Sequence, residues 1–187
     1  VGTCIVSASS QAQTESDHAL LRQVVSEASQ DQLHSTIQHL VGFGTRHTMS
    51  DTRSSRRGIG AARRWVAAQL QTISRQCGGC LQIETPSQSF TGDRLPTSTE
   101  VMDVLAIQRG ISDPDRVIVI SGHLDSRVTD PMNAASDAPG ANDDGSGTAA
   151  VIEAARVLSK HRFAATLVFA VLSGEEQGLY GGRVLAD

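Results

Sequence analysis

Three short stretches hold most of the residues able to do chemistry. Ser121-Gly122-His123-Leu124-Asp125-Ser126 closes one apolar run. Pro139-Gly140-Ala141-Asn142-Asp143-Asp144-Gly145 is a Gly-rich loop, and Ser173-Gly174-Glu175-Glu176-Gln177-Gly178 closes a second apolar run. One imidazole and several carboxylates at such positions are the nitrogen and oxygen donors that a divalent metal accepts. His123 and Asp125 are two residues apart, so in extended chain they point to the same side. His123 is expected to ligate metal while Asp125 accepts the hydrogen bond of the other ring nitrogen, fixing the tautomer. Of the pair Asp143-Asp144, one is expected on metal, where a carboxylate can bridge two cations. The other is expected to serve the turn as a helix cap or to support a partner ligand. Glu175 and Glu176 point to opposite sides of an extended chain. One is expected to ligate metal, and the other to stand over substrate as a general base acting on a metal-activated water.

The elements that must position these residues follow from periodicity. Leu20, Leu21, Val24 and Val25 form a helical stripe within 14–28; a second helix capped by Ser29 carries Leu33, Ile37, Leu40 and Val41. Thr45–Arg57 reads as a polar loop, and Gly58–Ser74 as a third helix with Ala62, Trp65, Val66, Leu70 and Ile73 inward. Leu81–Thr85 alternates as an edge strand, Gly92–Pro96 reads as a turn, and Val101–Ile107 suggests one further strand ending at Gly110. Val117-Ile118-Val119-Ile120 and Ala165–Leu172 are continuous apolar runs, the pattern of strands buried on both faces. The helix starting at Asp143 or Asp144 joins them in a crossover, which predicts neighbouring parallel strands in the centre of the sheet. The fold class is α/β: a three-layer αβα sandwich with a mixed, largely parallel central sheet.

The chain has 187 residues, a hydrophobic fraction of 39%, a charged fraction of 19% and a formal net charge of −4. That balance gives no reason to expect nucleic acid or an anionic membrane as partner. No apolar run approaches the roughly 20 residues of a membrane helix. Arg53, Arg56 and Arg57 are the only local excess of positive charge and read as a solvated surface. His18, His34, His39, His47 and His161 read as surface or structural. Residues 1–12 resemble the tail of an export signal, with Ser10 and Ala12 at the small-residue positions of a cleavage site before Gln13. The remaining domain is then 13–187, secreted or periplasmic. Cys4 would leave with the signal, and Cys77-Gly-Gly-Cys80 can close as a disulfide in an oxidising compartment.

Taken together, SGHLDS, PGANDDGSG and SGEEQGLYG resemble the secreted dizinc aminopeptidases, relatives of glutamate carboxypeptidase and glutaminyl cyclase; the resemblance runs from about Gln32 to the end. It implies a zinc exopeptidase acting on a peptide substrate with two zinc ions. It implies His123 on one zinc, Asp143 bridging both and Glu176 on the other. It further implies Glu175 as general base, Asp125 as the acid behind His123, and a cis peptide bond at Asp143–Asp144. The family uses two further ligands, an acid beyond the glutamate pair and a late histidine, which this sequence does not contain. The expectation is therefore an N-terminal piece of one domain that needs its C-terminal part, from the same or a separate chain, and is inactive alone. A glutaminyl cyclase-like transferase and a non-catalytic binding module on the same fold are the alternatives.

Overall fold

The computed structural model describes residues 18–187, so the expectations for residues 1–12, Cys4 among them, lie outside the described residues. Helix α1 covers 18–27. Helix α2 (Gln30–Val41) begins at Ser29, whose Oγ accepts from Gln32 N–H at 3.2 Å and satisfies one of the unpaired donors of the first turn. Helix α3 (Gly58–Gln76) turns Ala62, Val66, Leu70 and Ile73 inward. Just beyond it Cys77 and Cys80 are joined by a disulfide.

A sheet of four strands carries the site. Its order is β1 (Gln82–Glu84), β4 (Val104–Gln108), β6 (Ala165–Leu172), β5 (Asp113–His123). β5 and β6 are parallel neighbours, with Ile120 opposite Phe169 and His123 opposite Leu172. β1 and β4 run antiparallel to their neighbours. Helix α4 (Gly145–Leu158) makes the crossover between β5 and β6, as expected for parallel strands. Leu40, Val66, Leu70, Val151 and Ala155 from the helices meet Val104, Ala106, Phe169 and Val171 on one face of the sheet. Leu105, Val168 and Ala170 face the other way, toward Leu185 of α5 (Tyr180–Ala186). Helices thus lie on both faces. Full burial of side chains such as Leu70 and Phe169 is worth roughly 1.5–3 kcal/mol each.

Three expectations are corrected. First, β5 is not central: it forms the edge of the described sheet, and Val117, Ile118 and Val119 are 53%, 42% and 48% exposed. An unbroken apolar run reports that both faces of a strand are apolar; it does not report how many strands flank it. Second, the single strand expected over Val101–Ile107 is two. β2 (Ser87–Gly92) and β3 (Leu95–Met102) form a separate hairpin whose turn is narrower than expected, and Asp103 separates β3 from β4. Most of this hairpin is polar and exposed; Leu95, Val101 and the half-buried Phe90 anchor it against Tyr180 and Val184 of α5, so its apolar alternation is faint. Third, the loop after α2 is buried where it matters. Thr45, Arg46, His47 and Thr48 are at most 2% exposed.

Candidate active site

The site lies where β5 and β6 end and α4 begins, at the carboxyl ends of two parallel strands. Close approach is allowed by Gly122, where an added Cβ would stand 2.7 Å from the Gly147 carbonyl carbon. Asp144 uses both carboxylate oxygens structurally: Oδ1 accepts from Gly147 N–H at 2.8 Å, capping α4, and Oδ2 accepts from His123 N–H at 2.9 Å. Thr148 Oγ1 donates to the His123 carbonyl at 2.9 Å. The histidine backbone is therefore fixed on both sides by the start of the helix. The Asp143–Asp144 peptide bond is cis.

Asp143 stands clear of these ties. Its side chain is 76% exposed, and its Oδ1 lies 3.1 Å from His123 Nε2. Glu175 Oε2 lies 3.8 Å from the same nitrogen. On the other side of the ring, Nδ1 is 3.1 Å from the Asp125 main-chain carbonyl and 3.6 Å from its carboxylate. The hydrogen bond behind the imidazole is therefore made by the Asp125 backbone, and the carboxylate acts on the ring through its charge. Burial lowers the His123 pKa, but Asp125, then Asp144 and Glu175, outweigh it and push it up to about 9. The nearest charges all favour a cation at this point. Glu175 is raised above the ordinary carboxylate range, first by burial and then by the charges of Asp125, Glu176 and Asp143, with His123 opposing.

The buried carboxylate of Asp125 is the organiser of the glutamate loop. Oδ1 accepts from Glu175 N–H at 3.2 Å and Oδ2 from Glu176 N–H at 3.1 Å. Thr48 Oγ1 lies 3.1 Å from Oδ2 and 2.5 Å from Gln177 Oε1. His47 sits fully inside behind this network. Its Nδ1 accepts from Met49 N–H at 3.1 Å, so Nε2 carries the hydrogen and donates to the Pro131 carbonyl at 2.9 Å. Arg46 clamps the neighbouring loop through the carbonyls of Leu124, Leu40, Pro139 and Gly140 at 2.7 to 3.1 Å. Burial pulls its pKa down to about 10 against Asp125 and Asp144, so it stays charged near neutrality. The sequence reading passed over Arg46, Thr48, Gln177 and Arg127. No periodicity marks them, because each acts on residues distant in sequence.

The expected ligands are brought together only in part. His123 Nε2 and Asp143 Oδ1 converge, with Glu175 beside them. Glu176 is on the same loop, but its Oε2 accepts from Arg127 Nε at 2.6 Å. Among the described residues no group of three histidine, cysteine, aspartate or glutamate side chains is placed to hold a metal ion. The donor chemistry suits zinc, with a braced imidazole facing carboxylates, but supplies two converging donors where a complete site takes at least three.

Residues 103–187, which include all five candidate residues, match the profile of Peptidase family M28. Over 168 residues the chain is 48% identical to a probable zinc metalloprotease of Pyrenophora tritici-repentis, covering 89% of this chain and 35% of that protein. It spans about a third of the length of the curated relatives it matches. Its fold is similar to that of the Legionella pneumophila LapA aminopeptidase, with a TM-score of 0.67 at 21% identity, covering 91% of this chain and 41% of that one. A Bacteroides thetaiotaomicron glutaminyl cyclase bound to N-acetylhistamine gives a TM-score of 0.62 at 18% identity over 79% of this chain and 47% of that one. At such identities the likeness is one of fold. Residues 103–187 are thus similar to Peptidase family M28, and the chain as a whole is similar to probable zinc metalloproteases.

Proposed function

We propose that the whole protein is a zinc-dependent exopeptidase that removes N-terminal amino acids from peptides, and that these 187 residues supply part of its site. The carrying observation is the His123 imidazole: Nδ1 is braced by Asp125, and Nε2 faces Asp143 at 3.1 Å and Glu175 at 3.8 Å. His123, Asp143 and Glu176 would help to hold two zinc ions, together with ligands outside this chain. Zinc held there would supply Lewis acidity, activating a water and polarising a carbonyl oxygen. Glu175 would take a proton from the attacking water and return one to the departing amine, and the upward shift of its pKa by burial favours holding that proton in between. Asp125 fixes the imidazole and holds both glutamate backbones, so that the two adjacent side chains keep separate directions. The similarity to probable zinc metalloproteases supports a metalloprotease, and the likeness in fold to the LapA aminopeptidase supports the aminopeptidase type. The Cys77–Cys80 disulfide supports an oxidising, secreted or periplasmic compartment.

The test uses the full-length protein. Release of a chromophore from amino-acid anilides is measured with and without chelator, beside cyclisation of a peptide with N-terminal glutamine. Chelator-sensitive anilide hydrolysis is expected. Cyclisation without hydrolysis would replace this reading with the transferase, and neither activity would leave a binding module. The 187-residue chain alone is expected to be inactive.

A further inference from the structure

The end of the sheet away from the candidate active site carries a second concavity. β6 starts at this end with Ala165 and finishes at Leu172 opposite His123, so the length of the strand separates the two places. The cavity measures about 670 Å³, within the roughly 300–1,000 Å³ of small-molecule sites. The Cys77–Cys80 disulfide loop forms one wall, and the end of α4 with the segment after it forms another. Beyond their chain neighbours, Gly78 and Gly79 have no atom within 4 Å of where a Cβ would stand, so the rim of the disulfide wall is open.

Arg109, Arg156, Lys160 and Arg162 line this space, and among the described residues no aspartate or glutamate does. Four cations thus gather without a lining acid, although the whole chain carries a net charge of −4. The dipole of α4 accounts for two of them, since Arg156 lies in its last turn and Lys160 just beyond. Both are also paired, Arg156 with Glu153 at 2.6 Å and Lys160 with Glu27 at 2.7 Å. Arg109 and Arg162 differ. Arg109 follows β4 and Arg162 precedes β6; both are exposed, and the ion pairs of this region leave them without an acidic partner among the described residues. The carbonyl end of α4 does little to oppose an anion here, because its carbonyls are occupied. Gln108 Nε2 donates to the Ser159 carbonyl at 3.3 Å and the His161 carbonyl at 2.8 Å, and the Leu158 carbonyl accepts from His161 N–H at 2.9 Å.

We propose that this cavity binds a small organic polyanion through its phosphate or sulfate groups. Arg109 and Arg162 hold the anion, each offering a planar fork of donors that matches two oxygens of such a group. Two forks arriving from different elements can share the three free oxygens of one tetrahedral group, whereas a carboxylate offers only two. Arg156 and Lys160 stay with their own acids and add positive potential. The shelter of the cavity strengthens the attraction relative to open water, and the exposed position of both arginines leaves it sensitive to salt. The cations line one concavity instead of spreading over a face, which fits a small ligand better than a nucleic acid or a membrane. The site shares no residue with the candidate active site, so it stands apart from the exopeptidase reading.

The experiment is calorimetric titration of the full-length protein with inorganic pyrophosphate and, separately, with a disulfated disaccharide. At least one probe is expected to bind, and more weakly as salt is raised. Binding in the first arm alone assigns phosphate, and in the second alone sulfate. Arg109→Gln and Arg162→Gln are each expected to weaken it by about tenfold, the loss of a charge-assisted hydrogen bond. Arg162→Lys keeps the charge without the fork and is expected to fall between Arg162→Gln and the wild type. Both arginines are exposed, so the variants should keep the wild-type Tm. Arg53→Gln removes an exposed cation outside the cavity and should change nothing. An equal loss in Arg53→Gln would reduce the effect to net charge and overturn the proposal. Pyrophosphate also chelates metals, so binding that survives in the Arg109→Gln/Arg162→Gln double variant lies elsewhere and overturns it too. So does the absence of binding to either probe. Citrate binding more tightly than both probes would show a carboxylate site in place of the one proposed.

Discussion

Thr48 Oγ1 meets Asp125 Oδ2 at 3.1 Å although 77 residues separate them. The contact connects the loop after α2 to the buried carboxylate that holds Glu175 and Glu176. Removing it tests that connection. Thr48→Val conserves shape but removes the one hydroxyl hydrogen that Asp125 Oδ2 and Gln177 Oε1 share, and a buried acceptor left unpaired costs about 1–3 kcal/mol. Denaturant unfolding of the full-length protein should show that loss. Turnover should fall too, through misplaced glutamates, and unchanged turnover would mean that Asp125 positions them without help from Thr48.

The two adjacent glutamates should respond differently to the same change. Glu175→Gln keeps its shape and removes the proton acceptor, so kcat is expected to fall roughly 10²–10⁴-fold with metal content unchanged. Glu176→Gln should lose metal and regain part of its activity in excess zinc. Anilide hydrolysis measured together with metal analysis distinguishes the pair, and normal turnover in fully loaded Glu175→Gln would remove Glu175 from the mechanism.

How much of this was legible in the sequence depends on the range of the interaction. The parallel pairing of β5 and β6, the crossover helix and the cap at Ser29 all come from local periodicity and short-range hydrogen bonds. His123 and Asp143 converge from their strand and helix ends, but Glu176, the third expected ligand, is turned to Arg127, and Glu175 stands beside the ring in its place. The β2–β3 hairpin was missed because only Phe90, Leu95 and Val101 hold it, too few to mark an apolar alternation. Arg46 and Thr48 were missed because a polar stretch reads as solvated loop unless its distant partners are known, and of the two readings open for His47 the structural one holds. The edge position of β5 was missed for a related reason: its neighbours are not encoded in its own composition.

Asp103 gives the fold a dependence on pH. It is fully buried between β3 and β4, with Oδ1 accepting from Ser173 N–H at 2.8 Å and Oδ2 lacking a hydrogen-bond partner among the described residues. Burial raises its pKa, Ser173 and Arg63 oppose, Asp125 adds to the rise, and the result is about 7 against an ordinary 3.8. Between those values the folded state holds a proton that the unfolded chain has lost. Stability attributable to Asp103 therefore falls as pH rises from 3.8 to about 7 and is level above. Asp103→Asn keeps the oxygen for Ser173 and removes the titration. Its stability relative to wild type should climb across that window, by at most about 4 kcal/mol, in urea melts run at several pH values. Parallel curves for the two proteins would show that Asp103 stays ionised throughout.

The last prediction concerns Arg46, the largest of the fully buried side chains. Its guanidinium satisfies the carbonyls of Leu40, Leu124, Pro139 and Gly140, which join the end of α2, the end of β5 and the loop that delivers Asp143. Lysine cannot replace it, because one ammonium group cannot reach acceptors spread over a plane. Arg46→Lys should leave at least one carbonyl unpaired and cost about 2–4 kcal/mol. Arg46→Met, which keeps the packing of the stem and supplies no donor, should cost more. The damage should also be directional. Leu40 belongs to a well-packed helix, whereas Pro139 and Gly140 have Arg46 as a main tie, so the loop before Asp143 should loosen first. Hydrogen exchange followed by mass spectrometry would show faster exchange over 139–145 in Arg46→Lys, before any change in β6. Uniform exchange across the chain would mean that Arg46 supports the core as a whole and does not act selectively on the loop carrying Asp143.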